Sequence, residues 1–196
     1  MLYKYGNKKI GNDTLIINMG RASNCPSWEM GLCRLKELGV KCYALKPEIQ
    51  YPDVVPSFRD AQFAFWRNSS AQDIANELIA SIGRRRLETK YMRFNESGDF
   101  WSQEDVDKLD IVARKLKEVH GVVTYGYTAR KDLKFKKNRS FIVRGSGWKI
   151  RNANGETKVI LRGKKIPKGF KECPGSCVSC MFCKTDKKIN VAFRQH

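Results

Sequence analysis

The apolar positions of the chain form short runs that predict strands separated by longer helical patterns. Residues 14–20 make a continuous apolar run that ends at Gly20, which predicts a buried strand. Five further runs predict strands at residues 90–95, 122–127, 141–143, 159–161 and 189–193. The strands near the middle of the chain alternate with helical patterns, whereas the last two are joined by basic connections.

Residues typical of helix starts mark where the helices between these strands begin. Ser57 and Ser70 are suitable N-cap residues, and each precedes apolar positions at helical spacing. Ser102 and Asp105 form a near capping box for a helix from 103 to about 118, which His120-Gly121 ends.

Strands that alternate with helices predict an α/β fold with a largely parallel sheet, similar to a partial (β/α) barrel. Residues 1–196 are predicted to form a single domain, with an α/β core at 14–150 and a basic, cysteine-rich C-terminal extension at 151–196. Ligand sites in such folds lie at the carboxyl ends of the strands, and polar or cysteine-containing motifs follow several predicted strands here.

Four cysteines follow one another closely near the end of the chain: Cys173, Cys177, Cys180 and Cys183. Zinc sites usually use two short cysteine pairs that are a dozen or more residues apart, whereas iron–sulfur clusters take ligands two or three residues apart from one loop. The spacing therefore favours a 4Fe–4S cluster, with zinc as the alternative. A disulfide knot is a further alternative.

Three more cysteines, Cys25, Cys33 and Cys42, lie in the loop after the first strand. Seven cysteines are an odd number, and the N-terminus has no apolar signal stretch, so metal binding in the cytoplasm is expected rather than disulfide pairing. Four sulfurs saturate one cluster, and three leave a metal position open, so a second cluster is predicted here. Ordinary buried thiols are the alternative.

The chain has 38 Lys and Arg against 20 Asp and Glu, a net charge of +18 that is interpreted as spread along the chain. A nucleic acid is the predicted partner, and a solvated surface is the alternative. Tyr125, Tyr127 and Trp148 lie near basic residues, where they could stack on bases or pack in the core. No run of eighteen apolar residues exists, so no membrane contact is expected.

The three cysteines after the first strand, ending in Cys42-Tyr43-Ala44, resemble the cluster loop of radical S-adenosylmethionine enzymes. The resemblance implies a 4Fe–4S cluster with one open iron for S-adenosylmethionine, although the superfamily spacing C-x3-C-x2-C is absent here. It implies that Ser97, Gly98 and Asp99 bind the cofactor, with Asp99 at its amino group. Arg93 or Arg130 would hold a carboxylate or a phosphate, and Asp99 and Arg130 are the candidate catalytic residues.

A closer resemblance is to a phage family named Gene product 88, which has no settled activity. It is carried by Asn24–Ser27, Gly31–Cys33, Lys41–Lys46, Ser97–Phe100, Tyr127-Thr128 and Cys173–Cys183. This resemblance implies a protein that acts in the cytoplasm of an infected bacterial host.

Two functions follow from these observations. The first is an iron–sulfur protein similar to a minimal radical S-adenosylmethionine enzyme that acts on or binds nucleic acid. The second is a nucleic-acid-binding phage protein without enzymatic activity, whose iron–sulfur or zinc sites stabilise the fold. A metal-dependent nuclease using Glu96 and Asp99 is a third alternative. The first function predicts that the sulfurs of Cys25, Cys33 and Cys42 lie within a few ångströms of one another, facing Ser97–Asp99.

Overall fold

The computed structural model describes residues 2–7 and 9–195. Its strands are β1 (Lys4–Tyr5), β2 (Thr14–Met19), β3 (Tyr91–Gly98), β4 (Val123–Thr128), β5 (Phe141–Ser146), β6 (Glu156–Ile160), β7 (Phe170–Glu172) and β8 (Asn190–Arg194). Its helices are α1 (Pro26–Glu29), α2 (Arg34–Glu37), α3 (Leu45–Gln50), α4 (Val55–Asn68), α5 (Ala71–Gly83) and α6 (Gln103–His120).

The strands form one open sheet in the order β1-β2-β3-β4-β5-β6-β8-β7. Only β1 is antiparallel to its neighbour among the described strands, and the other pairings are parallel. The predicted fold class, an α/β fold with a largely parallel, partly barrel-like sheet, is confirmed. The carboxyl ends of β2, β3, β4 and β5 therefore lie along one edge of the sheet.

One face of the sheet is apolar and carries the longer helices. Leu15, Met92 and Phe94 are fully buried there, in a core that also contains Leu78 of α5 and Leu109 of α6. Successive residues of a strand point to opposite faces, so every second side chain of these strands lies on this face. Those side chains are apolar, and the helices pack against them.

The opposite face is unusually polar for the middle of a parallel sheet. Arg93, Tyr125, Tyr127 and Arg144 alternate with the core positions of β3, β4 and β5, and we call them the polar face. Arg93 lies over the ring of Tyr127, 5.3 Å from its centroid. Burying arginine requires polar partners, so this face needs a polar covering.

That covering comes from the link between β7 and β8. The predicted C-terminal extension adds three strands to the same sheet, with β8 between β6 and β7. Because β7 and β8 are parallel, the link must return across the sheet, and it does so over the polar face. Lys184 lies 3.9 Å from the ring centroid of Tyr91, and Arg144 donates to the carbonyl of Phe182.

Most predicted elements are present, with shifted ends. Asp105 contributes its half of the predicted capping box, since its carboxylate accepts from the Ser102 amide at 3.0 Å, and the Ser70 cap is confirmed by the hydrogen bond that it accepts from the Asp73 amide at 3.1 Å. The prediction of Ser57 as an N-cap is wrong, because α4 begins at Val55 with a proline in its first turn. The three-residue strand β7 carries too few positions to show a periodicity in the sequence.

Candidate metal centre

The loop after β2 contains three short helices, and a cysteine precedes each one. Cys25 is the N-cap of α1, Cys33 is the N-cap of α2, and Cys42 lies three residues before the start of α3. We call residues 21–44 the early cysteine loop. Helices α1 and α2 lie within this loop, and α3 follows it immediately.

Side chains from the loop and from the strand ends fix the early cysteine loop at the carboxyl edge of the sheet. The indole of Trp148 donates to the Leu32 carbonyl at 2.6 Å, next to Cys33. The hydroxyl of Tyr43 donates to the Glu96 carbonyl at 2.8 Å, and Ser27 donates to Asp99 at 2.6 Å. The loop therefore contacts the residues after β3 and β5, as its position after β2 predicted.

Burial and backbone amides act in opposite directions on the three early thiols. Burial raises the pKa of Cys25, Cys33 and Cys42 above the usual value for a thiol. Against this rise, the backbone N–H groups two and three residues further on lower each pKa, through Ser27 and Trp28 in the case of Cys25. Backbone amides aimed at sulfur favour the thiolate, which is the form that binds metals.

The late cysteine run, residues 173–183, turns its sulfur-bearing residues inward. Between residues 171 and 181, Cys173, Cys177 and Cys180 are the only residues that are not exposed. Cys183 is also partly buried. Two backbone hydrogen bonds hold the first loop of the run at its ends. The Cys173 amide donates to the Ala192 carbonyl at 2.8 Å, and the Cys177 amide donates to the Lys9 carbonyl at 2.9 Å.

Three cations lie between this run and the sheet. Arg144 is completely buried and Lys184 is 4% exposed, and Lys184 donates to the Cys177 carbonyl at 3.0 Å. Arg93 has a buried Nε atom to which the described residues offer no hydrogen-bond partner. In the part of the chain that the structure describes, none of the three has a carboxylate within 4.0 Å, although buried charges are normally paired.

These cations lower the pKa of two late thiols, against the effect of burial. Burial raises the pKa of Cys177 and Cys183, as it does for the early cysteines. The positive charges of Arg93 and Lys184 lower the pKa of Cys177, and a hydrogen bond with Tyr127 and the charge of Arg144 lower that of Cys183. The early group has the opposite neighbour, since the charge of Asp99 raises the pKa of Cys25 further.

Asp99 lies beside the early cysteine loop, but its carboxylate already accepts four hydrogen bonds from the protein. It accepts from the side chains of Ser27 at 2.6 Å and Asn95 at 3.1 Å, and from the amides of Phe100 at 2.8 Å and Ala129 at 2.9 Å. A carboxylate has about four acceptor positions, so the described protein donors occupy them. Asp99 thereby joins α1 to the ends of β3 and β4.

The neighbouring predicted site residues also have structural roles. A side chain at Gly98, whose φ is 73°, would place its Cβ 2.4 Å from the Met19 carbonyl oxygen, so glycine lets β3 approach β2 here. The Ser97 amide donates to Asn18 at 2.8 Å, while its buried hydroxyl has no partner among the described residues.

The two arginines named from the sequence differ in their free donors. Arg130 donates through Nε and Nη2 to Asp132 and through Nη1 to the carbonyls of Phe100 and Trp101, so it stabilises a turn. Within the described residues, the side chain of Arg93 makes one hydrogen bond, to the Tyr43 hydroxyl at 3.2 Å. Arg93 is therefore the arginine with donors left for another group.

The described residues contain no group of three or more Cys, His, Asp or Glu side chains placed to hold a metal ion. In the described part of the chain, Cys25, Cys33 and Cys42 therefore do not form such a group, and the predicted close approach of their sulfurs stays a prediction. The cysteines of each group are nevertheless near enough to affect one another, because the charge of Cys33 raises the pKa of Cys25 and that of Cys173 raises the pKa of Cys177.

The aromatic residues considered for base stacking are used inside the fold. Tyr125 is 2% exposed, and Tyr127 packs edge-on against Phe193. Trp148 has Arg34 and Lys131 over its ring, with Lys131 at 3.6 Å from the centroid. Packing within the fold, the alternative to base stacking, therefore describes all three aromatic residues.

Two residues of the candidate site, Arg144 and Lys184, were not picked out from the sequence. The available signal was a charged residue inside the buried strand Phe141–Ser146. An arginine there has to find carbonyl or anionic partners, and it finds five carbonyls of the C-terminal part of the chain.

A comparison with known families covers the early cysteine loop but not the late cysteine run. The Gene product 88 profile matches residues 2–149, which include the early cysteine loop and the turn at Asp99. The chain belongs to the Gene product 88 family. No curated protein and no solved structure matches it. The resemblance to this phage family is confirmed over the α/β core, whereas the late cysteine run lies outside the matched residues.

The comparisons give no support to the link with radical S-adenosylmethionine enzymes. No helix among the described residues has the length and apolar character needed to cross a membrane.

Proposed function

We propose that this Gene product 88 protein is a metal–thiolate protein, with an iron–sulfur cluster on its late cysteine run and zinc as the alternative metal. The observation that carries the proposal is the set of cations Arg93, Arg144 and Lys184 beneath that run. Arg144 and Lys184 are buried and donate to carbonyls of Phe182 and Cys177, Arg93 lies over the ring of Tyr127, and none of the three has a carboxylate partner among the described residues.

Charge balance explains why such a set favours a metal–thiolate centre. Four thiolates bound to one cluster or one zinc ion carry a net negative charge, which suits a site lined by unpaired cations. Without metal, burial raises the pKa of Cys177 and Cys183, so the thiols are neutral and the cations have no counter-charge. Metal binding releases these protons and supplies the missing negative charge.

We infer a second metal position at the early cysteine loop, where the donors are Cys25, Cys33 and Cys42. The amides that lower the pKa of each thiol are typical of groups that stabilise bound thiolate sulfur. The filled carboxylate of Asp99 favours a structural role for this position over a catalytic one. Free thiols in both groups suit the reducing cytoplasm of an infected host, where we propose the protein acts.

Purification without oxygen, followed by measurement of iron, sulfide and zinc per chain, tests the proposal. A cluster on the late run gives about four iron and four sulfide, and a zinc site gives about one zinc. S-adenosylmethionine should leave the absorption spectrum unchanged, because Asp99 has no free acceptor for its amino group. Protein without iron or zinc would refute the metal proposal, and a spectral change would favour the radical interpretation.

A nucleic-acid-binding function is a second candidate, and one observation favours it. Residues 129–196 contain 19 Lys and Arg against 4 Asp and Glu, a net charge of +15, whereas residues 1–128 contain 19 against 16. The interpretation of a charge spread along the chain is therefore wrong: the charge is concentrated in the part that forms β5 to β8. A field of this strength attracts polyanions.

Binding of fluorescent single-stranded and duplex oligonucleotides at several salt concentrations tests this second function. Affinity should fall steeply as salt rises, since each phosphate contact releases counterions. An absence of binding at low salt would remove the nucleic-acid function and leave the metal proposal intact.

A further inference from the structure

A group of cations without nearby acidic residues, outside the cysteine groups, lies in the connection from β6 to β7. This connection, residues 161–169, is called the basic crossover. Its four cations are all exposed: Arg162, Lys164, Lys165 and Lys168. Residues 157–171 contain no Asp or Glu at all.

The acidic residues nearest in sequence to the basic crossover already form ion pairs with other cations. Glu156 contacts Lys158 at 3.1 Å, and Glu172 contacts Arg194 at 2.8 Å. In the described part of the chain, none of the four crossover cations has a carboxylate within 4.0 Å. Their charges are therefore free to act on a molecule outside the protein.

The basic crossover is attached to the sheet rather than extended from it. Because β8 lies between β6 and β7, the connection has to pass over β8. Arg194, at the end of β8, donates to the Lys164 carbonyl at 2.9 Å, and the Gln195 amide donates to the Ile160 carbonyl at 3.0 Å. The four exposed cations consequently all belong to one short connection that is fixed to the carboxyl end of β8.

We propose that the basic crossover is the surface that contacts the phosphate backbone of a nucleic acid, an inference that rests on the second function above. Exposed lysine and arginine side chains without acidic partners make sequence-independent phosphate contacts. A membrane surface is a poorer fit, since residues 157–171 expose no large apolar side chain that could enter a bilayer.

Two variants with equal net charge separate this site from a general charge effect. The first is Arg162→Gln with Lys164→Gln, Lys165→Gln and Lys168→Gln. The control is Lys4→Gln with Arg86→Gln, Arg114→Gln and Lys117→Gln, four exposed cations for which the described residues provide no acidic partner. Each variant removes four positive charges from the net charge of +18.

The measurement is the slope of log K against log salt for duplex and single-stranded oligonucleotides. The crossover variant should lose up to about 3–4 units of slope on a duplex, since each phosphate contact contributes about 0.9, and the control should lose less than about one. Urea unfolding midpoints equal to that of the wild-type protein show that both variants are folded.

Each other outcome has a definite meaning. Equal losses in the two variants would overturn the crossover site while leaving nucleic-acid binding in place. No binding by the wild-type protein would remove the second function itself. Retention on anionic phospholipid vesicles without oligonucleotide binding would assign the charge to a lipid surface and overturn the proposal.

Discussion

Replacing Cys177 and Cys180 together with serine is expected to remove the metal of the late cysteine run completely. Two of four thiolates are then lost, and serine hydroxyls are poor ligands for iron and zinc at neutral pH. Metal held by the early cysteine loop should remain, so iron or zinc per chain falls to the content of that position alone. Elemental analysis of protein purified without oxygen measures this change.

The same variant should release the run from the sheet. Metal binding energy is folding energy for such a segment, and it amounts to about 10–16 kcal/mol in isolated zinc-finger peptides. Faster hydrogen exchange at residues 173–189 would report the release. Ser176→Ala with Ser179→Ala is the matched control, because both serines are exposed in the same run. Unchanged iron and zinc in the cysteine variant would end the metal proposal for this run.

Replacing Arg144 with methionine is expected to destabilise the protein by at least about 1–3 kcal/mol, which is the usual cost of one buried acceptor left without its donor. The guanidinium donates to carbonyls of Asn154, Ile189, Phe182, Thr185 and Lys187. Methionine fills a similar volume but leaves these acceptors without their donor, and unsatisfied buried acceptors are costly. The free energy of unfolding in urea is the appropriate measurement.

Two further variants make the Arg144 result specific. Arg151→Met removes an exposed arginine from the connection between β5 and β6, and its effect should stay below about 0.5 kcal/mol. Arg144→Lys keeps the charge but has only three donors, so it should recover part of the loss. A loss below about 1 kcal/mol for Arg144→Met would show that other groups hold the C-terminal segment.

The order of strands and helices could be predicted because each element has its own local pattern. Residues 14–20 gave the apolar run of β2, and Ser102 with Asp105 gave the start of α6. The position of the cysteine loop at the sheet edge followed from the rule for parallel strands. The strand β7 could not be predicted, because three residues depend on pairing with β8 rather than on their own pattern.

The partners of the site residues could not be predicted, because they depend on which backbone groups the fold brings near. Asp99 was correctly placed after β3, but its four donors come from three separate parts of the chain. Arg130 looked as available as Arg93, yet Asp132 and two carbonyls use its donors. Sequence patterns report residue types and spacing, whereas the saturation of a polar group is a tertiary property.

The position of β8 between β6 and β7 affects how the protein is made. The ribosome produces β7 first, then the four cysteines, and only then the strand that β7 pairs with. At 5–20 residues per second, the interval from Glu172 to Asn190 lasts roughly one to four seconds. Until β8 has been made, β7 has no partner strand among the described strands, and the sheet lacks its last two strands. The late cysteine run is therefore fixed over Arg144 only in the last step of folding, after β8 has paired with β6 and β7.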